Sequence, residues 1–495
     1  MKKPMKIVLV NPEDIRRRKR MSEQTPFAGL AFLAAYAGKC FGNDIDVEII
    51  EMLPQRYGIK DVASRIRETG ATLCGITAKT YNYPFSLEVA EAIKAASPKT
   101  LVIYGGAHAT ALPHDVAREK AADAVIRSEG EQVFNNVIEN LLASRHPFRG
   151  VNGVVYSDGG EIADNGNEEL IRDIDTIPTP DWGKYYDLDL YDRYYDRFTG
   201  KHHLLLPVFA SRGCPYGCQF CQPVLSRKHR ARPVSSVLDE VQYLHDRYGI
   251  SRIYFEDSIF GIRKEWFLEF CSGYKERGLH NMVKWGYETN VNNIDLERTR
   301  AARDAGCVYV YFGMESASDT VLQHLGKRAT RQKLSAAIAM AKAAGIREVV
   351  GSFIFGLPYE NSDTAGETID FIRSSSLDGV NINLLDVYPG TELHAMVENG
   401  QGGIQWIPGK KDKWDACGRT LVKTIVNDLD TEEKLEALYL KTLRIVHDKY
   451  RKSPYSYLRQ ILSHLLYYSM HNPEKLRQSM RHAMAAYFPE RFRLN

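Results

Sequence analysis

Residues 213–222 read GCPYGCQFCQ, so Cys214, Cys218 and Cys221 fall within eight positions while the other five of the chain's eight cysteines are scattered singly. Thiolates at this density bind zinc or an iron–sulfur cluster. A structural zinc site takes four ligands, usually as two separated pairs. No second Cys-x2-Cys or His-x3-His pair lies near, and His229 is the neighbour that could complete a zinc set. Three cysteines on a cubane cluster instead leave one iron open, and an open coordination position is what chemistry at a cluster requires. Gly213 and Gly217 allow the loop to fold tightly around what the sulfurs hold. The spacing favours a cluster over zinc.

The elements that must position this loop alternate along the chain. Short apolar runs KIVLV (6–10), IDVEII (45–50), LCGIT (73–77), LVIYGG (101–106) and AVIR (124–127) are separated by helical patterns, which predicts an α/β, doubly wound (Rossmann-like) domain over 1–145. Its ligand rim, at the strands' C-terminal ends, carries NP (11–12), TAKT (77–80), GGAHAT (105–110) and SEGE (128–131). Residues 146–200, with IPTPDW and YYDLDLYDRYYDRF, read as a connector wrapped over a surface. From Leu204 the alternation resumes through LLLPVFAS, RIYFED, VKWGYETN, VYVYFGMES, REVVGSFIFGLP and GVNINLLDVYPGT, giving a partial (β/α)6 barrel over 201–400. The C-terminal region, 401–495, turns helical after Thr431; Leu435, Leu438, Leu443 and Val446 stripe one helix, and YLRQILSHLLYYSM reads similarly, as a cap or partner surface.

Composition sets outer bounds. With 65 basic and 62 acidic residues the formal charge is +3, which gives no reason to expect nucleic acid or an anionic membrane as partner. The N-terminus lacks a signal-peptide pattern and no apolar run approaches the ~20 residues that span a bilayer, which predicts a cytoplasmic protein acting on small molecules. In a reducing compartment the cysteines are thiols or metal ligands, not a disulfide framework.

The cysteine loop, with Phe220 as the aromatic of Cys-x3-Cys-x-aromatic-Cys, resembles that of the radical S-adenosylmethionine (SAM) enzymes, and the likeness covers most of residues 204–400. The resemblance implies a [4Fe-4S] cluster on Cys214, Cys218 and Cys221 whose fourth iron is chelated by SAM. It also implies reduction by an external donor of flavodoxin or ferredoxin type, and a 5′-deoxyadenosyl radical that abstracts substrate hydrogen. GMES (313–316) looks like the motif that helps hold SAM, here Glu315 and Ser316; FIFGLP (353–358) resembles the stretch flanking the adenine, here Phe355. Plainer readings stand beside these. Phe353 and Phe355 also suit a strand core, Glu256 and Asp257 a solvated strand end, Cys271 and Cys307 inert burial. RKHRAR (227–232) and RRRKR (16–20) read as solvated turns, with one arginine available to a carboxylate or phosphate.

Residues 1–200 are similar to the cobalamin-binding domain that precedes the barrel in one branch of this family, through NP, TPFAGLAFLAAYAG, GGAHAT, SEGEQ and IRDIDTIPTPDW in that order. That likeness implies cobalamin contacts from Thr77, Lys79, Gly105, Gly106, His108, Glu129 and Gly130. Asp-x-His-x-x-Gly is absent, so no histidine of that motif is expected on cobalt; Lys79 or Tyr81 faces the metal from below, and His108 meets the corrin or the backbone. The function implied is methylation of a carbon or phosphorus of a small molecule; the alternative is cyclisation, rearrangement or dehydration by the same radical. Cys40 and Cys74 are one cysteine short of a methylthiotransferase's second cluster, and a scaffold or electron carrier would need neither GMES nor FIFGLP. Tyr287, Glu288, Asn290, Asn381 and Asn383 fall at the barrel rim as candidate SAM or substrate ligands.

Overall fold

The computed structural model describes residues 3–14, 25–196, 199–222, 226–411 and 423–450; RRRKR (16–20) and YLRQILSHLLYYSM (457–470) lie outside them. The first sheet contains β1 (Met5–Asn11), β2 (Ile45–Glu51), β3 (Leu73–Thr77), β4 (Leu101–Gly105), β5 (Ala124–Ile126), β6 (Val154–Asp158) and β7 (Glu161–Asp164), in the order β2-β1-β3-β4-β5-β6-β7. The apolar run of β1 is uninterrupted because both its faces are covered. Ile7 and Leu9 join a core with Leu30, Ala34 and Val137, from the helices Ala28–Phe41 and Gly130–Leu142. Val8 and Val10 join another with Val62, Ile66, Val89 and Ile93, from Ile59–Thr69 and Tyr83–Ala96. The two-residue period of a strand sends neighbours to opposite faces.

Strands β1 to β5 run parallel, as expected, but β6 and β7 pair antiparallel within the segment read as a connector. The signal for that hairpin was local: VVYSDGGEIAD turns at Gly159 and Gly160, with φ of +63° and +96°. The rest of the segment is a strap. Tyr186 Oη donates to Phe27 O at 2.7 Å, Lys39 Nζ to Thr176 O at 2.8 Å and Tyr248 Oη to Asp181 at 2.7 Å, while Trp182 is fully buried beside Phe32. A short antiparallel pair, β8 (Tyr194–Asp196) and β9 (Lys201–His203), leads into the second unit.

There β10 (Ser211–Arg212) pairs with β11 (Arg230–Ala231), followed by β12 (Arg252–Phe255), β13 (Lys284–Thr289), β14 (Cys307–Glu315), β15 (Glu348–Phe355) and β16 (Gly379–Leu384). Strands β12 to β16 form one parallel five-stranded sheet with helices between them. The first barrel strand expected at LLLPVFAS is reduced to one bridge, Val208 to Phe255, because Pro207 has no N–H to give a ladder. The partial barrel is therefore open beside its first position. The last described elements are an antiparallel hairpin of β17 (Ile404–Trp406) with β18 (Thr424–Val426), which the helical reading of 401–495 did not include, and the helix Glu432–Tyr450. On that helix Leu435 is buried and Leu443 stays at the surface. No helix among the described residues is long and apolar enough to cross a membrane.

Candidate functional site

The cysteine loop hangs from the β10–β11 ribbon. At its base Gly213 has φ of +83°, and a Cβ there would stand 2.3 Å from Lys228 O. Only glycine fits that close approach. Cys214 N donates to Ser226 O at 3.1 Å and Cys221 N to Cys218 O at 3.2 Å. Gly213→Ala is expected to lose cluster, read as a fall in iron and sulfide per chain, and to cost about 1–3 kcal/mol in denaturant unfolding, since the strained φ and the clash act together.

The ribbon is pinned by Asp257, which the sequence left at a solvated strand end. It is buried, accepts from Ala210 N at 3.0 Å and takes a short hydrogen bond from Ser211 Oγ. Burial pushes its carboxyl up to about 7 although those donors pull it down. A carboxyl raised on folding contributes stability below its unfolded value, and that contribution is lost as pH rises through the folded one. Wild-type stability should thus fall between about pH 4 and 7, with a flatter profile in Asp257→Asn measured by urea unfolding across that range.

Three more ties fix the loop from other strand ends. Tyr216 Oη donates to Asn293 at 2.8 Å, and Leu393 N, just after YPGT, to Gln219 O at 2.9 Å. Gln222 Nε2 reaches both Ala107 O, in GGAHAT, and Pro389 O, each at 3.1 Å. One side chain of the cysteine loop thereby joins the rims of both units.

Between those rims lies a cavity of about 490 Å³. Thr77, Lys79, Gly105, Gly106, Glu129 and Gly130 line one side, Cys214 and Cys221 the other, with Phe27, Leu33, Phe134 and Phe209 among the apolar walls. Gly106, at φ +94°, lies so close to the β3 loop that a Cβ would come within 2.9 Å of Ala78 O and Thr77 Oγ1. The thiols border this space without closing round a point; among the described residues no three histidine, cysteine or carboxylate side chains do. Their donor set, open on one side, suits a cluster with one free iron, and the apolar walls with a bare backbone cradle suit a flat, bulky group.

Not every expected residue faces the cavity. His108 is buried on the Tyr83 ring at 4.1 Å with Nδ1 3.3 Å from Thr80 Oγ1, and burial, helped by Lys423, pushes it down to about 4. Tyr81 Oη donates to Glu13 at 2.7 Å, while Lys79 Nζ sits 3.3 Å from the same carboxylate and 4.5 Å over the Phe27 ring, at the cavity wall. Glu129 lines the cavity, but its carboxylate is committed to the second unit: Arg230 donates twice, at 2.8 and 2.7 Å, and Arg212 at 3.4 Å, with Ile171 N at 3.1 Å. Arg212 also meets Glu131 at 2.6 Å, and Arg232 meets Asp175 at 3.0 Å, so two arginines of RKHRAR find carboxylates. His229 lies in a small cleft with Gly261 and Trp266, apart from the thiols.

On the barrel side, Glu315 is buried at a β-bulge with φ of +64°, a left-handed conformation costly for a non-glycine residue. Lys327 holds it there, bonding both the Glu315 carboxylate and Gly313 O. Both residues act electrostatically on the Cys218 thiol, which places them beside the loop. No spacing in the sequence singled out Lys327. Phe220 packs, half-buried, against the apolar cluster that contains Val321 and Leu357. Ser316 is spent on Thr368 Oγ1 at 3.1 Å, and Phe353, Phe355 and Tyr287 are enclosed in the core. Asn290 caps the turn after β13 through Asn292 N at 2.9 Å.

The radical SAM superfamily model matches residues 208–372 and the B12-binding-domain model residues 22–138. A Pyrococcus horikoshii protein named an uncharacterized methyltransferase is 33% identical over 410 residues, spanning 82% of this chain and 86% of that protein. The chain belongs to the radical SAM superfamily. Its B12-binding segment puts it in the cobalamin-containing branch, so the cofactors are a [4Fe-4S] cluster, SAM and cobalamin. The chain is similar in fold to the methyltransferase TsrM of Kitasatospora setae, solved with cobalamin and a [4Fe-4S] cluster, at TM-score 0.72 and 16% identity, covering 98% of this chain and 100% of that one. The anaerobic magnesium-protoporphyrin IX monomethyl ester cyclase of Cereibacter sphaeroides is 29% identical over 79% of this chain and 63% of its own.

Proposed function

We propose that this radical SAM protein is a cobalamin-dependent methyltransferase that methylates an unactivated carbon, or a phosphorus, of a small molecule. The observation that carries the reading is the single cavity shared by the B12-type rim and two of the three loop cysteines, supported by the methyltransferase name of the Pyrococcus relative. Bound there, the cluster with SAM supplies hydrogen abstraction and cobalamin supplies a methyl carrier.

The chain's part is to hold these groups in register. Cys214, Cys218 and Cys221 are the cluster ligands in this reading, Glu315 and Lys327 border SAM's polar end, and Gly105, Gly106 and Gly130 let backbone approach the corrin. Lys79 is held against Glu13 and Phe27 at the cavity wall, where it would border a bound corrin. The Glu129–Arg230 pair and Gln222 fix the loop against the B12 rim, so the reacting centres cannot drift apart. The electron comes from an external one-electron donor of flavodoxin or ferredoxin type, in the cytoplasm.

The cyclase name of one relative favours a second reading, the same hydrogen abstraction without methyl transfer. Product analysis with methyl-labelled SAM separates the two. Label in the product is expected; product formed without label, with cobalamin absent from the visible spectrum of the anaerobically purified protein, supports the second reading instead.

A further inference from the structure

A second cavity, of about 500 Å³, fills the lumen of the open barrel. Strand alternation turns Arg252 and Tyr254 of β12 to this one side, with Glu256 directly after the strand, and Tyr309 and Tyr311 of β14 face them. Gly286 makes room for the array, since a Cβ there would stand 2.8 Å from Tyr309 Cβ. The Tyr254 and Tyr309 rings meet edge to face at 5.6 Å, and Tyr311 Oη accepts from Asn381 Nδ2 at 3.1 Å.

The charges around this cavity do not balance. Arg252 is cancelled by Asp196 at 2.9 Å, a carboxylate that Arg347 also meets at 3.2 Å. Lys327, above it, is taken by Glu315. The carboxylates of Glu256, in the lining, and of Glu288, close enough to act on Glu256's neighbours Tyr254 and Tyr309, have neither side-chain hydrogen bond nor ion pair among the described residues. Glu256 is exposed at the cavity and Glu288 is half-buried; partial loss of hydration beside the rings pushes both carboxyls up, Glu288 to about 7. A cation would pair with a carboxylate and face tyrosine rings together, a combination that an anion or a neutral apolar guest cannot make.

We propose that the barrel lumen binds a cationic small molecule, an amine or guanidinium, whose charge pairs with Glu256 among the rings of Tyr254, Tyr309 and Tyr311. It rests on the function proposed above only in taking that molecule to be the substrate.

Saturation-transfer NMR on the anaerobic, reconstituted full-length chain tests it with three probes of similar size: benzylammonium, benzyl alcohol and benzoate. Benzylammonium is expected to bind at least ~10-fold more tightly than either other probe, and to weaken roughly 10-fold in Glu256→Gln and in Tyr309→Leu but less than about 2-fold in Tyr309→Phe, which keeps the ring. Equal binding of the three probes to the wild type overturns the proposal, and this comparison needs no variant to fold. Undiminished benzylammonium binding in a folded Glu256→Gln chain overturns it as well. A negative methyl-label experiment leaves the binding result standing; loss of charge selectivity while methyl transfer persists sinks this proposal alone.

Discussion

Alanine at any one of Cys214, Cys218 or Cys221 is expected to remove the [4Fe-4S] absorbance and to lower product formation below about one-thousandth of wild type, because two thiolates cannot hold a cubane with one iron open for SAM. The fold should hardly notice. Cys221 is exposed and the other two are half-buried, so unfolding free energies should stay within about 0.5 kcal/mol of wild type. The remaining described cysteines serve as internal controls. Cys40 is exposed and its alanine variant should be silent, whereas Cys271 and Cys307 are buried in the core, where burial pushes the thiols up and keeps them protonated. Cys271→Ala should cost about 1–2 kcal/mol through lost packing and keep its cluster. Full cluster absorbance in a Cys214→Ala protein reconstituted in parallel would refute the assignment.

Glu129→Ala is expected to destabilise the chain by about 3–5 kcal/mol, the cost of leaving buried charge without its partner. The Glu129 side chain is 3% exposed, and those of Arg230 and Arg212 are 12% and 11% exposed, so solvent screens the cluster little. Arg212 would keep Glu131 and Arg230 would keep Ile171 O, at 2.6 Å, but both would lose the Glu129 carboxylate. The loss should reach the cofactors as well, since Arg212 and Arg230 form the ribbon from which the cysteine loop hangs. Cobalamin retained after desalting should fall together with the denaturation midpoint. Glu129→Gln, which keeps shape and one acceptor, should lie between alanine and wild type. Unchanged stability and cobalamin content in Glu129→Ala would show that the two units are held by their shared apolar core instead.

The chemistry proposed for the cysteine loop could be read early because its thiols are neighbours in sequence: three in eight positions offer a donor set before any fold exists. The parallel strands were legible too, since burial on both faces demands the uninterrupted apolar runs of β1 and β3. The pairings that assemble the site were not. Glu129 and Arg230 are 101 positions apart, and Glu315 and Lys327 meet only because a bulge in β14 turns Glu315 into a left-handed conformation. GMES marked Glu315 and Ser316 alike, yet packing sends one toward the cysteine loop and the other to Thr368. A strand's two-residue period makes the same residue type core or cavity according to register, so Phe355 fell into the core while Tyr254, Tyr309 and Tyr311 came to line the lumen. The sequence by itself determined which metal chemistry the chain can carry; tertiary structure decided which carboxylates, arginines and rings surround it, because those contacts depend on where distant strands end.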